Sequence, residues 1–243
     1  EYVERSIKED KKSPEVIAKE IKEMPFKTKM CARTIRNNIY AGDIYDIKSK
    51  DMIYNKEYKE KNKDKKICEK VPPEKSIDYR PEEANTREEY GHWEGDLVIG
   101  TKKRGAVLFT LTERKTREEI IVKIAGKKAE YVAKALDMIE RKYKNMFYSK
   151  FKTITFDNGS EFYKTIELEN KNFQVYFTHP YCSYEKGGVE NFNGIIRRYI
   201  PKNKDIKSIT RQKLQSINKQ INDTPRKILN YKTPIEVFLE YIA

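Results

Sequence analysis

The sequence predicts a mixed α/β protein preceded by a helical segment, and three observations carry that expectation. Short β-prone runs occur at 92–99, 106–112, 119–124, 151–156 and 173–177. Helical periodicity separates or follows them at about 128–146, 189–199, 210–222 and 234–241. Strands alternating with helices in one stretch make a mixed sheet with covering helices the expected architecture. The first 48 residues show no such runs and read as helical and basic.

Within that segment, Ser13 followed by Pro14 gives a cap and a first-turn residue, and Val16, Ile17, Ile21 and Met24 supply an apolar face. A second helix is expected over about Met30 to Tyr40, with Ile35 and Ile39 inward and Arg33, Thr34, Arg36 and Asn37 available outside. Two short helices across a turn fit a helix-turn-helix whose second helix reads DNA. A helical hairpin that only packs on the rest of the chain is the plainer reading of the same pattern. The expected domains are this module (1–48), a linker (49–85) and a mixed α/β domain with closing helices (86–243). From Lys48 to Lys75 the periodicity fades and ten lysines face six acids, as in a basic linker or a solvated spacer. Pro72 and Pro73 stiffen its end.

The strand runs are justified one by one. GHWEGDLVIG has glycines at both ends, and its alternation puts His92, Glu94, Asp96 and Val98 on one face. A Lys-Arg-Gly turn leads to 106–112, and 119–124 follows. Val132, Ala135, Leu136, Ile139, Tyr143 and Met146 mark the buried face of the long helix after Gly126. The next strand ends at Asp157, Asn158-Gly159 signals a tight turn, and Ser160 is placed to cap a short helix. In the helix that carries Glu190, Val189, Phe192, Ile196 and Tyr199 recur at core spacing, with Asn193 and Arg197 on a neighbouring face.

Three acids stand out by position. Asp96 sits mid-strand, where a carboxylate is costly to bury unless paired or metal-bound. Asp157 ends a strand, and Glu190 opens a helix. Each alone is better read as structural or solvated. As a set they suit hard divalent cations, Mg²⁺ or Mn²⁺. His92 and Glu94 share the face of Asp96, with supporting or structural roles favoured over direct ligation. His179 is expected to order its loop through hydrogen bonds. Lys186 with Gly187-Gly188, and Arg197 with Arg198, are candidates for contact with DNA phosphate, and Tyr181 and Tyr184 for stacking on bases. The plain readings are a flexible hinge, a solvated face and ordinary packing.

The motifs GHWEGDLVIG, TLTERKTR, TFDNGSEF, HPYCSYEKGGVENFNGIIRRYIPK and NDTPRKILNYKTPIEVF, in this order from about Ile77 to Phe238, resemble the insertion-sequence-thirty family of bacterial transposases. The resemblance implies a ribonuclease-H-like, integrase-type catalytic core. It implies that Asp96, Asp157 and Glu190 are the three catalytic and metal-holding acids. It matches Arg197 to the basic residue seven positions after the glutamate, and it implies a helix-turn-helix ahead of the core. The activity implied is divalent-metal-dependent cleavage at the element's ends and strand transfer into target DNA. Two metal ions roughly 3.5–4 Å apart would serve both steps. The partners implied are double-stranded DNA, as terminal inverted repeats and target, and further copies of the chain in a synaptic complex. A non-catalytic repressor derived from a transposase, and a nuclease that cleaves without joining, stay open as rivals.

Composition agrees with a polyanionic partner. The 243 residues carry a net charge of +13, and 37% are charged. Neither His92 nor His179 has an arginine three residues on, which weakens a tyrosine-recombinase reading despite seventeen tyrosines. No apolar run approaches the roughly 20 residues of a membrane span. The three dispersed cysteines point to a reducing compartment, so a cytoplasmic location is expected. Opening at Glu1 rather than Met is what a piece of a longer protein would show.

Overall fold

The computed structural model describes residues 1–44, 47, 51, 71–101, 105–170, 173–180, 182, 185–186 and 189–242, apart from the side chains of 189–191 and 242. The chain divides into two compact units, Glu1–Lys61 with Lys219–Ala243, and Asn62–Asn218.

In the first unit, α1 (Tyr2–Lys8), α2 (Pro14–Glu23) and α3 (Ala32–Ala41) enclose a core of Val3, Ile7, Ile17, Ala18, Ile21, Ile35 and Ile39. Ser13 and Pro14 start α2 as the sequence predicts, the Ser13 hydroxyl accepting from the Val16 N–H. Met24 falls at the C-cap of α2, where the Lys29 ammonium covers the freed carbonyls of Ile21 (3.0 Å) and Met24 (2.6 Å). Gly42 ends α3 at φ 81°, the left-handed conformation that a side chain would strain. Arg33, Thr34, Asn37 and Tyr40 are exposed along α3, whereas Arg36 pairs with Glu15 of α2.

In the second unit, 3₁₀ turns at Pro73–Lys75 and Ile77–Tyr79 lead to α4 (Glu82–Thr86). Most of the expected linker and the Lys-Arg-Gly turn lie outside the described residues. The strands follow as β1 (His92–Ile99), β2 (Val107–Glu113) and β3 (Glu119–Ile124). After α5 (Ala129–Tyr143) and α6 (Phe147–Lys150) come β4 (Thr153–Phe156) and β5 (Gln174–Phe177). Then come α7 (Val189–Tyr199) and α8 (Arg211–Asn222), within which the division falls at Lys219, and α9 (Pro234–Ile242) belongs to the first unit.

The sheet order is β3-β2-β1-β4-β5, with β1, β2 and β3 antiparallel and β4 and β5 parallel to β1. Three strands, a helix, then two strands inserted beside the first is the ribonuclease-H-like arrangement. One face is apolar. Trp93, fully buried, stacks on Phe151 at 4.7 Å and donates its indole N–H to the Lys150 carbonyl at 2.7 Å. Val132, Leu136 and Ile139 of α5 are buried as well.

Two local expectations fail. Met146 is 57% exposed because α5 ends at Tyr143 and Lys144 takes φ 49°, turning the chain off the helical face. Ser160 caps nothing: it lies in a turn ahead of a 3₁₀ segment, Tyr163–Leu168, that has no side-chain cap.

The other face of the sheet is polar even where it is buried. Glu94 pairs with Arg114, both almost fully enclosed. His92 bonds Thr153 and Glu89, each at 2.9 Å. The Trp93 face also holds a buried acid: Glu113, opposite Trp93 in register, fixes the β2–β3 turn by accepting from the N–H groups of Lys115 (2.8 Å) and Thr116 (2.5 Å). Burial raises the pKa of its carboxyl, and these donors offset that only in part.

Candidate active site

Strand register builds the site. β1 pairs β4 with His92 opposite Thr153 and Glu94 opposite Thr155, so two residues further on the same offset sets Asp96 beside Asp157 on one face. Glycines make the approach possible. A Cβ on Gly95 would come within 2.1 Å of the Phe156 ring, and one on Gly159 within 2.9 Å of the Asp157 carboxylate. The Gly159 N–H donates back to the Asp157 carbonyl at 2.8 Å, which closes the turn that the Asn-Gly pair predicts.

Helix α7 lies along β1. Phe192, Ile196 and Ile200 bury its inner side, and Pro201 stops it. One turn apart on its next face, the Asn193 amide donates to Asp96 Oδ2 at 2.5 Å and the Arg197 guanidinium donates to the Ile99 carbonyl. Burial lowers the pKa of Arg197. Arg197 therefore ties the helix to the strand, while Arg198 is half-buried beside it. Glu190 lies in the first turn of α7, and its side chain is outside the described residues.

A lysine stands between the two aspartates. The Lys186 ammonium is 3.7 Å from Asp96 Oδ1, 3.9 Å from Asp157 Oδ2 and 3.1 Å from the Gly95 carbonyl, and its side chain is only 3% exposed. Its position is set one residue earlier. The Glu185 carboxylate accepts from the His179 backbone N–H and meets the His179 ring, both at 2.9 Å, while the far ring nitrogen reaches Asp78 at 3.0 Å. That contact with Glu185, reinforced by Asp78, raises the His179 pKa. His179 orders its loop as expected. The sequence offers Lys186 to phosphate, whereas the structure buries it among acids; nothing in its spacing signals that.

Two hard carboxylates already facing one cation fit a divalent metal. Among the described residues no group of three His, Cys, Asp or Glu side chains could hold one, and the Glu190 side chain is not among them. His92 is bonded to Thr153 and Glu89, and Glu94 is paired with Arg114.

The chain is 42% identical over 173 residues to the transposase for insertion sequence element IS4351 of Bacteroides fragilis. It is 36% identical over 168 residues to the transposase InsI for insertion sequence element IS30A of Escherichia coli (strain K12). These matches cover 71% and 69% of the chain, and 52% and 43% of the relatives. The putative integrase ORF3 of Spiroplasma virus SpV1-R8A2 B is 30% identical over 224 residues, 90% of the chain and 67% of that protein.

The chain belongs to the insertion-sequence-thirty family of transposases.

This family member spans about half the length of the insertion-sequence transposases it matches. No protein-family model matches it. Among solved structures, the catalytic core domain of BIV integrase aligns with 63% of the chain and 96% of its own, at 17% identity and a TM-score of 0.44. No described helix is long and apolar enough to cross a membrane.

Proposed function

We propose that this chain is a DNA transposase of the DDE type, cutting at the ends of its element and joining them to target DNA. The observation that carries the reading is the convergence on one cation of Asp96, within β1, and Asp157, just past the end of neighbouring β4. Asp96, Asp157 and Glu190 would hold Mg²⁺ or Mn²⁺, as two ions. Bound there, the metal would supply activation of the attacking oxygen and neutralisation of the leaving one.

In the first step water attacks the phosphodiester at the element end and a 3′-hydroxyl leaves. In the second, that hydroxyl attacks a target phosphodiester and displaces the target's own 3′-oxygen. No protein side chain becomes covalently attached. Asn193 orients Asp96, and Arg197 keeps α7 in place against the strand that carries it. Residues 1–48 act as the helix-turn-helix module, with Arg33, Thr34, Arg36 and Asn37 at the terminal inverted repeats, 49–85 as the linker and 86–243 as the catalytic domain. Arg198 belongs to the DNA-facing set, whereas Lys186 and Arg197, offered to DNA by the sequence, are engaged within the site; the complex forms by self-association, and the reaction takes place in the cytoplasm.

The test is strand transfer by the purified chain on its element ends with Mg²⁺, beside Asp157→Asn and Glu190→Gln. Both variants should bind DNA and leave it uncut. Robust metal-dependent cleavage by Asp157→Asn would refute the acid set.

A further inference from the structure

A buried ammonium has a desolvation cost that only close partners offset, and two adjacent carboxylates repel each other unless a cation lies between them. Lys186 and the aspartates meet both needs at once. The ammonium uses Asp96, Asp157 and the Gly95 carbonyl, and it is almost wholly shut off from water. It is also not placed by chance flexibility, because its neighbour Glu185 is gripped through both carboxylate oxygens by His179.

We propose that Lys186 is a tethered counter-ion of the catalytic acids, holding the place of metal and displaced from it when a divalent cation enters. The proposal rests on the reading of Asp96 and Asp157 as metal ligands. A divalent cation seeks the same oxygens, and an ammonium a few ångströms away opposes it by direct charge repulsion. Lys186 thus weakens metal binding in the absence of DNA while holding the two carboxylates together. It is a positioning residue toward the metal.

The experiment is titration of Mn²⁺ into the full chain without DNA, followed by calorimetry and by thermal melting with and without Mn²⁺. Lys186→Met should bind Mn²⁺ about tenfold tighter or more, because the competing charge is gone. Lys186→Arg, which restores a cation, should stay near the unaltered chain. Without metal Lys186→Met should melt below the unaltered chain, and saturating Mn²⁺ should close that gap. Should Lys186→Met fail to fold without metal, Lys186→Gln, which keeps a donor for the Gly95 carbonyl, takes its place in the titration. Equal or weaker Mn²⁺ binding by the uncharged variant would overturn the counter-ion. Mn²⁺ binding that is the same in the unaltered chain, Asp96→Asn and Asp157→Asn would overturn both the counter-ion and the metal-holding acids beneath it.

Discussion

Glu94 lies two residues before Asp96 on the same face of β1, yet the two carboxylates meet opposite environments. Glu94 is sealed against Arg114, and Asp96 faces Asn193 of α7 and the Lys186 ammonium. Removing one member of a sealed pair leaves the other charge buried and uncompensated. Arg114→Leu should therefore cost about 3–5 kcal/mol of stability in urea unfolding. Adding Glu94→Leu should recover most of that loss. The two histidines should shape the pH dependence in opposite senses. The His179 pKa is raised above its ordinary 6.5, so its contribution is full below that value and is lost as pH rises through the raised one. Burial lowers the His92 pKa, so its contribution is full above 6.5 and is lost as pH falls through the depressed value. In stability–pH profiles His179→Gln should flatten the alkaline limb and His92→Gln the acid limb. If each variant leaves its own limb unchanged, the linkage is wrong.

At the scale of elements, close approaches decide what the strands tolerate. Gly95→Ala would drive a methyl into the Phe156 ring and should destabilise by about 1–3 kcal/mol, the usual cost of overpacking. In α3 the two arginines should separate: Arg33→Ala should weaken DNA binding with little change in stability. Arg36→Ala should also cost stability, because its guanidinium pairs with Glu15. Melting and binding assays on both variants check this, and identical behaviour would refute the division. Much of this level was legible in advance. The bounds of β1 and β3 match the sequence expectation because glycines and turn residues flank them. The end of α5 was not legible, since Met146 continues the apolar spacing past a break made by one backbone angle. The parallel pairing of β1 with β4 links residues about sixty positions apart, and no local pattern encodes it. Asp96 and Asp157 stood out by position, one mid-strand and one at a strand end, and motif resemblance then matched them to a catalytic set. The lysine between them follows from the contact of its neighbour Glu185 with His179, which is a three-dimensional fact.

For the whole molecule, the +13 charge predicts strongly salt-dependent binding to duplex DNA. The slope of log affinity against log salt should drop by about one for each phosphate-contacting Lys or Arg replaced. Metal-free protein should bind DNA without cutting it, so chelator should abolish cleavage and leave the salt slope in place. A filter-binding series across salt concentrations, with and without chelator, measures both. A slope near zero would mean that the excess lysines serve solubility alone.

Trp93 is the chain's single tryptophan, and it is packed dry between Phe151 and Tyr90. Its fluorescence is thus a reporter confined to the unit 62–218. The helices of the other unit contribute to circular dichroism but carry no indole. Heating or denaturant should therefore give one emission shift to the red, timed by the sheet alone. If the two units unfold independently, the ellipticity curve will have a component that the emission curve lacks; if they unfold together, the curves will superimpose. One buried ring lets a spectrometer ask whether the two halves of this chain share a single cooperative transition.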